Sequence, residues 1–291
     1  MLIDFLHNQI HRRYKQLGFS DGFVESGRFT LHSYERYATE SIGTLVLIHG
    51  LGTSSSTWVR VLPGIDRRWN VIAFDLPGFG FSRINSGAPF ATFEELYQSM
   101  GTFISQKVIT PFVLLGHSLG GWVAAKYAIG HPANINHLVL VDNAGILCDE
   151  TLEQGRAFQV ESVADLRALL NKIWRRYPWY FKPFYHAVLN DLRKRGVADF
   201  VRSIRAESFL NDHLAQLRMG VSVVWGTEDR LISPNSVDIL KQAIGHARIH
   251  LIDRCGHVPQ LERPEAFTTV VGEILRQVTT GENTRKHNAL A

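Results

Sequence analysis

The chain predicts an α/β fold: a mostly parallel central sheet flanked by helices, with an inserted helical cap. Three observations predict it. Short apolar runs alternate with amphipathic stretches of helical period. One interval, 144–219, breaks that alternation and shows helical patterns alone. A strand–turn–helix unit passes through Gly116-His117-Ser118-Leu119-Gly120, between the apolar run 112–115 and the small-residue helical stretch that starts at Gly121.

In chain order, Leu2, Ile3, Leu6, Ile10, Tyr14 and Leu17 recur at helical spacing, with His11, Arg12, Arg13 and Lys15 on the other faces. This predicts an amphipathic N-terminal helix within 1–20, packed on the protein's own core or lying against a membrane surface. Residues 23–38 read as one or two strands ending in the turn Ser41-Ile42-Gly43. Strands follow at 45–49, 71–74, 112–115, 138–141, 221–225 and 249–252. Helical patterns fill 93–107, 120–131, 234–244 and 264–278. The core is therefore 1–143 with 220–280, and the cap is 144–219. Within the cap, helical segments lie near 150–160, 163–175, 182–194 and 196–210. An aromatic and basic cluster over 174–185 can form the cap's own small core, line a substrate entrance or touch a lipid surface. Residues 281–291 are polar and read as a disordered tail.

Composition bounds the function. The 291 residues are 45% hydrophobic and 20% charged, with a net charge of +4, as in ordinary globular chains. No block of Lys and Arg suggests a nucleic-acid arm. Cys148 and Cys255 are the only cysteines, too few for a disulfide framework or a CxxC metal site. Asp4, His7, Asn8, His11, Arg12 and Arg13 interrupt any signal-like apolar region, and no run approaches the ~18 apolar residues of a membrane span. A cytoplasmic protein is expected, with peripheral membrane contact through the N-terminal helix or the cap left open.

A serine hydroxyl is a poor nucleophile until a base accepts its proton, and that base needs an orienting group. Strand, sharp turn through Ser118, then helix is the setting that exposes such a hydroxyl, with small residues required at 116 and 120. His257 is the expected base: it follows the late strand 249–252 in the loop Gly256-His257-Val258-Pro259. Asp229 is the expected acid, just past the strand 221–225, with Glu228 a decoy beside it and Asp142 a second candidate at a neighbouring strand end. An oxyanion hole would use the N–H groups of Leu119 and of Leu51, in the loop His49-Gly50-Leu51-Gly52-Thr53. His49 is expected to brace that loop. Gly50, Trp58, Trp122 and Val258 are expected at the substrate pocket. The segment Asp75-Leu76-Pro77-Gly78-Phe79-Gly80-Phe81-Ser82 lacks a phosphate-loop lysine and reads as a structural turn. No metal-ligand spacing appears.

Through His49-Gly50, the 75–82 segment, the 116–120 turn, Asp229 and Gly256-His257, the chain resembles the α/β-hydrolase superfamily over nearly its whole length. The segment Cys255-Gly256-His257 with Leu261-Glu262-Arg263-Pro264, and the stretch 162–170, are similar to those of monoacylglycerol-lipase-like and bacterial lipase or esterase members. The resemblance implies the α/β-hydrolase fold. It also implies cofactor-free cleavage of a small-molecule ester or lipid with an apolar part, through an acyl-enzyme on Ser118. The same residues would serve a carbon–carbon bond hydrolase of the meta-cleavage type, an acyl-carrier methyl esterase or an acyltransferase. The loop 51–55 and His117 depart from the pattern of the carbon–carbon hydrolases. Oligomeric state is left open.

Overall fold

The computed structural model describes residues 2–233 and 235–281. The chain begins with helix α1 (Leu2–Gln16) and the hairpin β1 (Ser20–Ser26) and β2 (Phe29–Arg36). It continues through β3 (Gly43–Ile48), β4 (Trp69–Asp75), the two-residue β5 (Arg83–Ile84), α2 (Phe93–Lys107), β6 (Phe112–His117), α3 (Leu119–Gly130) and β7 (Ile135–Val141). Four helices then precede the next strand: α4 (Thr151–Ala157), α5 (Val163–Ile173), α6 (Tyr185–Lys194) and α7 (Val197–Ser203). The remainder is β8 (Gly220–Gly226), α8 (Asn235–Ile244), β9 (Arg248–Ile252), α9 (Pro259–Glu262) and α10 (Pro264–Thr280). The expected tail lies outside the described residues beyond Gly281.

The strands form one sheet in the order β1-β2-β4-β3-β6-β7-β8-β9, with β5 pairing β2 at its edge. β1, β2 and β4 pair antiparallel; from β4 to β9 every neighbouring pair is parallel. A parallel sheet needs cover on both faces, and strand residues divide accordingly. Val46, Ile48, Ile72 and Phe74 join one apolar cluster with α2 and α3. Leu45, Leu47, Val71 and Ala73 join the other, with Tyr14 of α1 and Phe267 of α10. Leu166, Leu169, Tyr185 and Leu189 of the inserted helices extend the first cluster. α3 is buried on nearly every side, which is why its sequence is apolar and small rather than amphipathic.

Local signals set the helix ends. Thr92 and Glu95 make a reciprocal capping box at the start of α2, and Ser162 and Asp165 do the same for α5. The helical patterns expected at 182–194 and 196–210 are shorter in the structure. Residues 179–184 form a 3-10 turn containing Pro183, because a proline inside a helix removes one donor and crowds the preceding turn. α7 ends where Ile204 turns extended. The N-terminal helix is docked on the core: Tyr14 is fully buried, stacks on Tyr34 at 3.8 Å and donates to the Ser55 carbonyl at 2.7 Å.

Burial holds four histidines below their ordinary pKa: His49, His117 (down to about 3), His137 (down to about 4) and the half-buried His250. Each is neutral in the fold but takes a proton when unfolded below about pH 6.5. The unfolded state then binds more protons, so stability falls as pH falls, by about 1.4 kcal/mol per pH unit for each such histidine. His32 has the opposite sign, since its pKa is raised by Asp75 and Asp21 against its burial. Urea midpoints should drop between about pH 7 and pH 5, and His137→Asn should flatten that dependence. An unchanged slope in the variant would count against this assignment.

Candidate active site

Ser118 is the junction between β6 and α3, with φ 53° and ψ −120°. This conformation is rare for a residue with a side chain and costs about 1–3 kcal/mol. Its surroundings hold it there. The Ser118 N–H donates to the Val141 carbonyl at 2.9 Å, and its carbonyl accepts from Trp122 and Ala144, each at 3.1 Å. A Cβ at Gly116 would run into the Gly120 carbonyl, and one at Gly120 into the carbonyls of Ile48 and His49. Both glycines are therefore demanded by backbone approach.

Asp229 lies just past β8, and His257 lies beyond β9, so both come from strands lateral to β6 on the same sheet edge. His257 Nε2 stands 2.9 Å from Ser118 Oγ, and His257 Nδ1 stands 2.8 Å from Asp229 Oδ2. The other Asp229 oxygen accepts from the N–H groups of Leu231 (2.8 Å) and Ile232 (3.1 Å). These bonds make Nδ1 the protonated nitrogen and leave Nε2 to receive the serine proton. Glu228 points away and pairs with Arg175 at 2.6 Å. Arg230 donates to backbone carbonyls at 174 and 175, not to Asp229.

The histidine loop is tied down from several directions. The His257 N–H donates to the Ile173 carbonyl at 2.7 Å. His117 Nε2 donates to the His257 carbonyl at 2.7 Å. The Glu262 carboxylate accepts from the N–H groups of Gly256 and Arg175. Burial, followed by the adjacent His257 ring, keeps His117 neutral.

Asp142 follows β7 and is fully buried, with φ 39°. Its Oδ1 accepts from the Gly226 N–H at 2.9 Å, while Oδ2 receives no donor. Burial and the facing Asp229 carboxylate push its pKa well above the usual range. With the oxygens of Asp229 committed as acceptors, the proton of this carboxyl pair sits on Asp142, and Oδ2–H becomes a donor toward Asp229. Ligand atoms of Asp142, Asp229 and His257 lie within 4.8 Å of one another. A protonated acid and a histidine with both nitrogens engaged make this grouping a hydrogen-bond relay, ill suited to a cation.

The loop after β3 borders the serine. Gly50 is buried so close to it that a Cβ there would come within 3.1 Å of Ser118 Cβ. The Leu119 N–H is the first of α3 and has no partner inside the helix. The Leu51 N–H meets no backbone acceptor among the described residues. His49 braces this loop, donating from Nδ1 to the Gly50 carbonyl (2.8 Å) and accepting at Nε2 from Leu76 N–H (3.0 Å). Asp75 ties the same loop to the 76–82 turn, accepting from Ser55 N–H (2.7 Å), Phe81 N–H (3.1 Å) and His32 Nδ1 (2.7 Å). Burial alone would raise the Asp75 pKa; the His32 bond and charge overcome it and hold it low.

A cavity of about 500 Å³ opens above Ser118. Leu51, Leu119 and Trp122 line it, as the sequence predicts for Trp122. Trp58 does not: it is fully buried on the other face of the sheet, stacked on Phe267 at 6.3 Å. Gly50 and Val258 also stand off the cavity wall; Val258 is buried at the start of α9. All three are buried in packed interior. Trp58 belongs to a 3-10 turn whose apolar side faces the α10 layer, so its ring fills core instead of pocket. The 174–185 cluster contributes no wall either. Tyr177 and Tyr185 pack on each other, while Trp179 is 75% and Tyr180 56% exposed. The walls that sequence reasoning missed, Ile146, Phe158, Phe200, Phe209 and Ile232, come from separate segments, and no local pattern joins them.

Comparison with known proteins agrees with this geometry. Residues 45–270 match the model of the Alpha/beta hydrolase family. The chain is 28% identical to 2-hydroxymuconate semialdehyde hydrolase of Pseudomonas sp. (strain CF600), over 80% of this chain and 87% of that protein. It is 22% identical to monoacylglycerol lipase ABHD6 of Rattus norvegicus, over 84% of this chain and 79% of that protein. Among solved structures it is similar to a membrane phospholipase A described as a bacterial virulence factor, with a TM-score of 0.79 and 26% identity over 94% of this chain and 92% of that one.

The relay makes a sharp forecast at Asp142. Asp142→Asn keeps an acceptor for Gly226 and a donor for Asp229, so turnover should stay within a few fold. Asp142→Ala leaves the buried Gly226 N–H unpaired, at about 1–3 kcal/mol, removes the donor that faces Asp229, and should cut kcat about tenfold or more with KM little changed. Equal losses in both variants would refute the protonated-acid assignment.

Proposed function

Because the chain belongs to the alpha/beta hydrolase family, it is a hydrolase, and we propose that its substrates are carboxylic esters with an apolar part, cleaved through an acyl-enzyme on Ser118. One observation carries the reading: Ser118 Oγ, 2.9 Å from His257 Nε2, opens into a cavity walled mainly by apolar side chains. Ser118 Oγ attacks the ester carbonyl as His257 takes its proton, and Asp229 stabilises the imidazolium. The N–H groups of Leu51 and Leu119 hold the oxyanion. His257 then protonates the leaving alcohol. Water, losing a proton to His257, attacks the acyl-enzyme, releasing the acid and restoring the serine. The 28% identity to a semialdehyde hydrolase favours one second reading, carbon–carbon cleavage with the same three residues.

No helix among the described residues is long and apolar enough to cross a membrane. We propose peripheral contact through the inserted helices. Trp179 and Tyr180 are exposed beside exposed Arg176 and Lys182, a composition suited to the boundary of an anionic bilayer.

Hydrolysis of p-nitrophenyl esters from acetate to palmitate, with monoacylglycerols alongside, tests the ester reading. Ser118→Ala and His257→Ala should lose about four orders of magnitude in kcat. Full turnover by Ser118→Ala would end the mechanism, and serine-dependent cleavage of meta-cleavage products alone would move the assignment to the carbon–carbon reading. Co-sedimentation with phosphatidylglycerol vesicles tests the contact surface. Trp179→Ser with Tyr180→Ser should lower the bound fraction, while hydrolysis of a water-soluble ester stays unchanged; an undiminished bound fraction would rule this surface out.

A further inference from the structure

The cavity above Ser118 carries charge of one sign. Three arginines line it, Arg156, Arg202 and Arg205, and no aspartate or glutamate among the described residues does. Arg202 is neutralised by Asp199 at 2.5 Å. Arg156 and Arg205 make no ion pair or side-chain hydrogen bond among the described residues. The nearest acidic residues in the chain are otherwise placed. Glu153, one turn before Arg156, is held by Lys172 at 2.5 Å, and Glu207 lines a separate hollow with Tyr97 and Lys126. Two arginines without a close ion-pair partner, both exposed, therefore line one cavity from different elements, the end of α4 and the segment after α7, Arg156 feeling only a weaker attraction from Glu153.

A cavity serving only a neutral apolar ester has no use for such charges. Both arginines are solvent-exposed, so salt screens their field, while the apolar walls Leu119, Trp122, Ile146 and Phe200 line the same cavity. A guanidinium matches the planar fork of a carboxylate or the oxygens of a phosphate. We propose that the substrate is an anionic amphiphile: an ester whose apolar part lies along these walls while a carboxylate or phosphate engages Arg156 and Arg205. This rests on the ester-hydrolase reading for its chemistry and on the arginines for its selectivity.

Binding and turnover test it separately. Octyl phosphate and its uncharged isostere, dimethyl octyl phosphate, are titrated calorimetrically into the wild type and into the Arg156→Gln/Arg205→Gln variant. Octyl phosphate should bind the wild type about tenfold or more tightly than the isostere, with an advantage that shrinks in salt and vanishes in the variant. Equal binding of the two probes, no binding of either, or an advantage that survives the double substitution overturns the proposal. For turnover, 1-octanoylglycerol is compared with its 3-phosphate, and p-nitrophenyl hexanoate with mono-p-nitrophenyl adipate. The variant should raise KM for the anionic member of at least one pair by about tenfold and leave the neutral member within twofold. The pair that responds tells whether the anion lies on the alcohol or the acyl side. Arginine-dependent octyl phosphate binding without serine-dependent ester turnover would keep the anion site and overturn the ester reading. Serine-dependent turnover of charged and neutral esters alike, unmoved by the double substitution, would do the reverse.

Discussion

The backbone of Ser118 is the constraint from which the rest follows. Its φ of 53° and ψ of −120° turn the chain from a strand into a helix within one residue, lifting the hydroxyl above the sheet edge. Such a turn persists only where its surroundings over-determine it. Here the Val141 carbonyl holds one side of the peptide, Trp122 and Ala144 hold the other, and the carbonyls at 48, 49 and 120 close in around two glycines. The order β3-β6-β7 brings those carbonyls together, so sheet topology and nucleophile geometry are one arrangement.

The electrostatics of the site divide labour between neighbouring carboxyls. Asp229 receives two backbone N–H groups and the histidine, and serves as the acceptor that orients the base. Asp142, one strand nearer the serine and fully buried, carries the proton. A second buried carboxylate, Asp75, has the opposite setting. His32 supplies a positive partner and three donors converge on it, so it stays charged and locks the loop after β3 to the following turn. Burial is common to both; the partners decide the outcome.

The helices between β7 and β8 have two tasks. Their apolar faces continue the core laid down by α2 and α3, and their chain at 173–175 binds the histidine loop through Ile173 and Glu262. They also supply most of the cavity wall and its arginines. The scaffold thus aligns Ser118, His257 and Asp229, and the insertion walls the space above them.

The alternation of strands and helices was legible because it is local: period-two and period-3.6 apolar patterns write themselves into consecutive residues. So was the triad, since Ser118, Asp229 and His257 each sit just past a recognisable strand, and parallel strands deliver such residues to one edge. Even His49 could be read as a brace, from its place at a strand end. The cavity could not be read. Trp58 looked like a wall and is core, whereas Phe158, Phe200 and Ile232 carry no local mark of their role. Nor could the proton on Asp142 or the unpaired state of Arg156 and Arg205 be seen, because each depends on partners far away in the chain. The sequence by itself determined which residues meet at the sheet edge, through short-range pattern and strand position. Only the tertiary structure decided the shape and charge of the space above them, because packing brings distant segments into one wall.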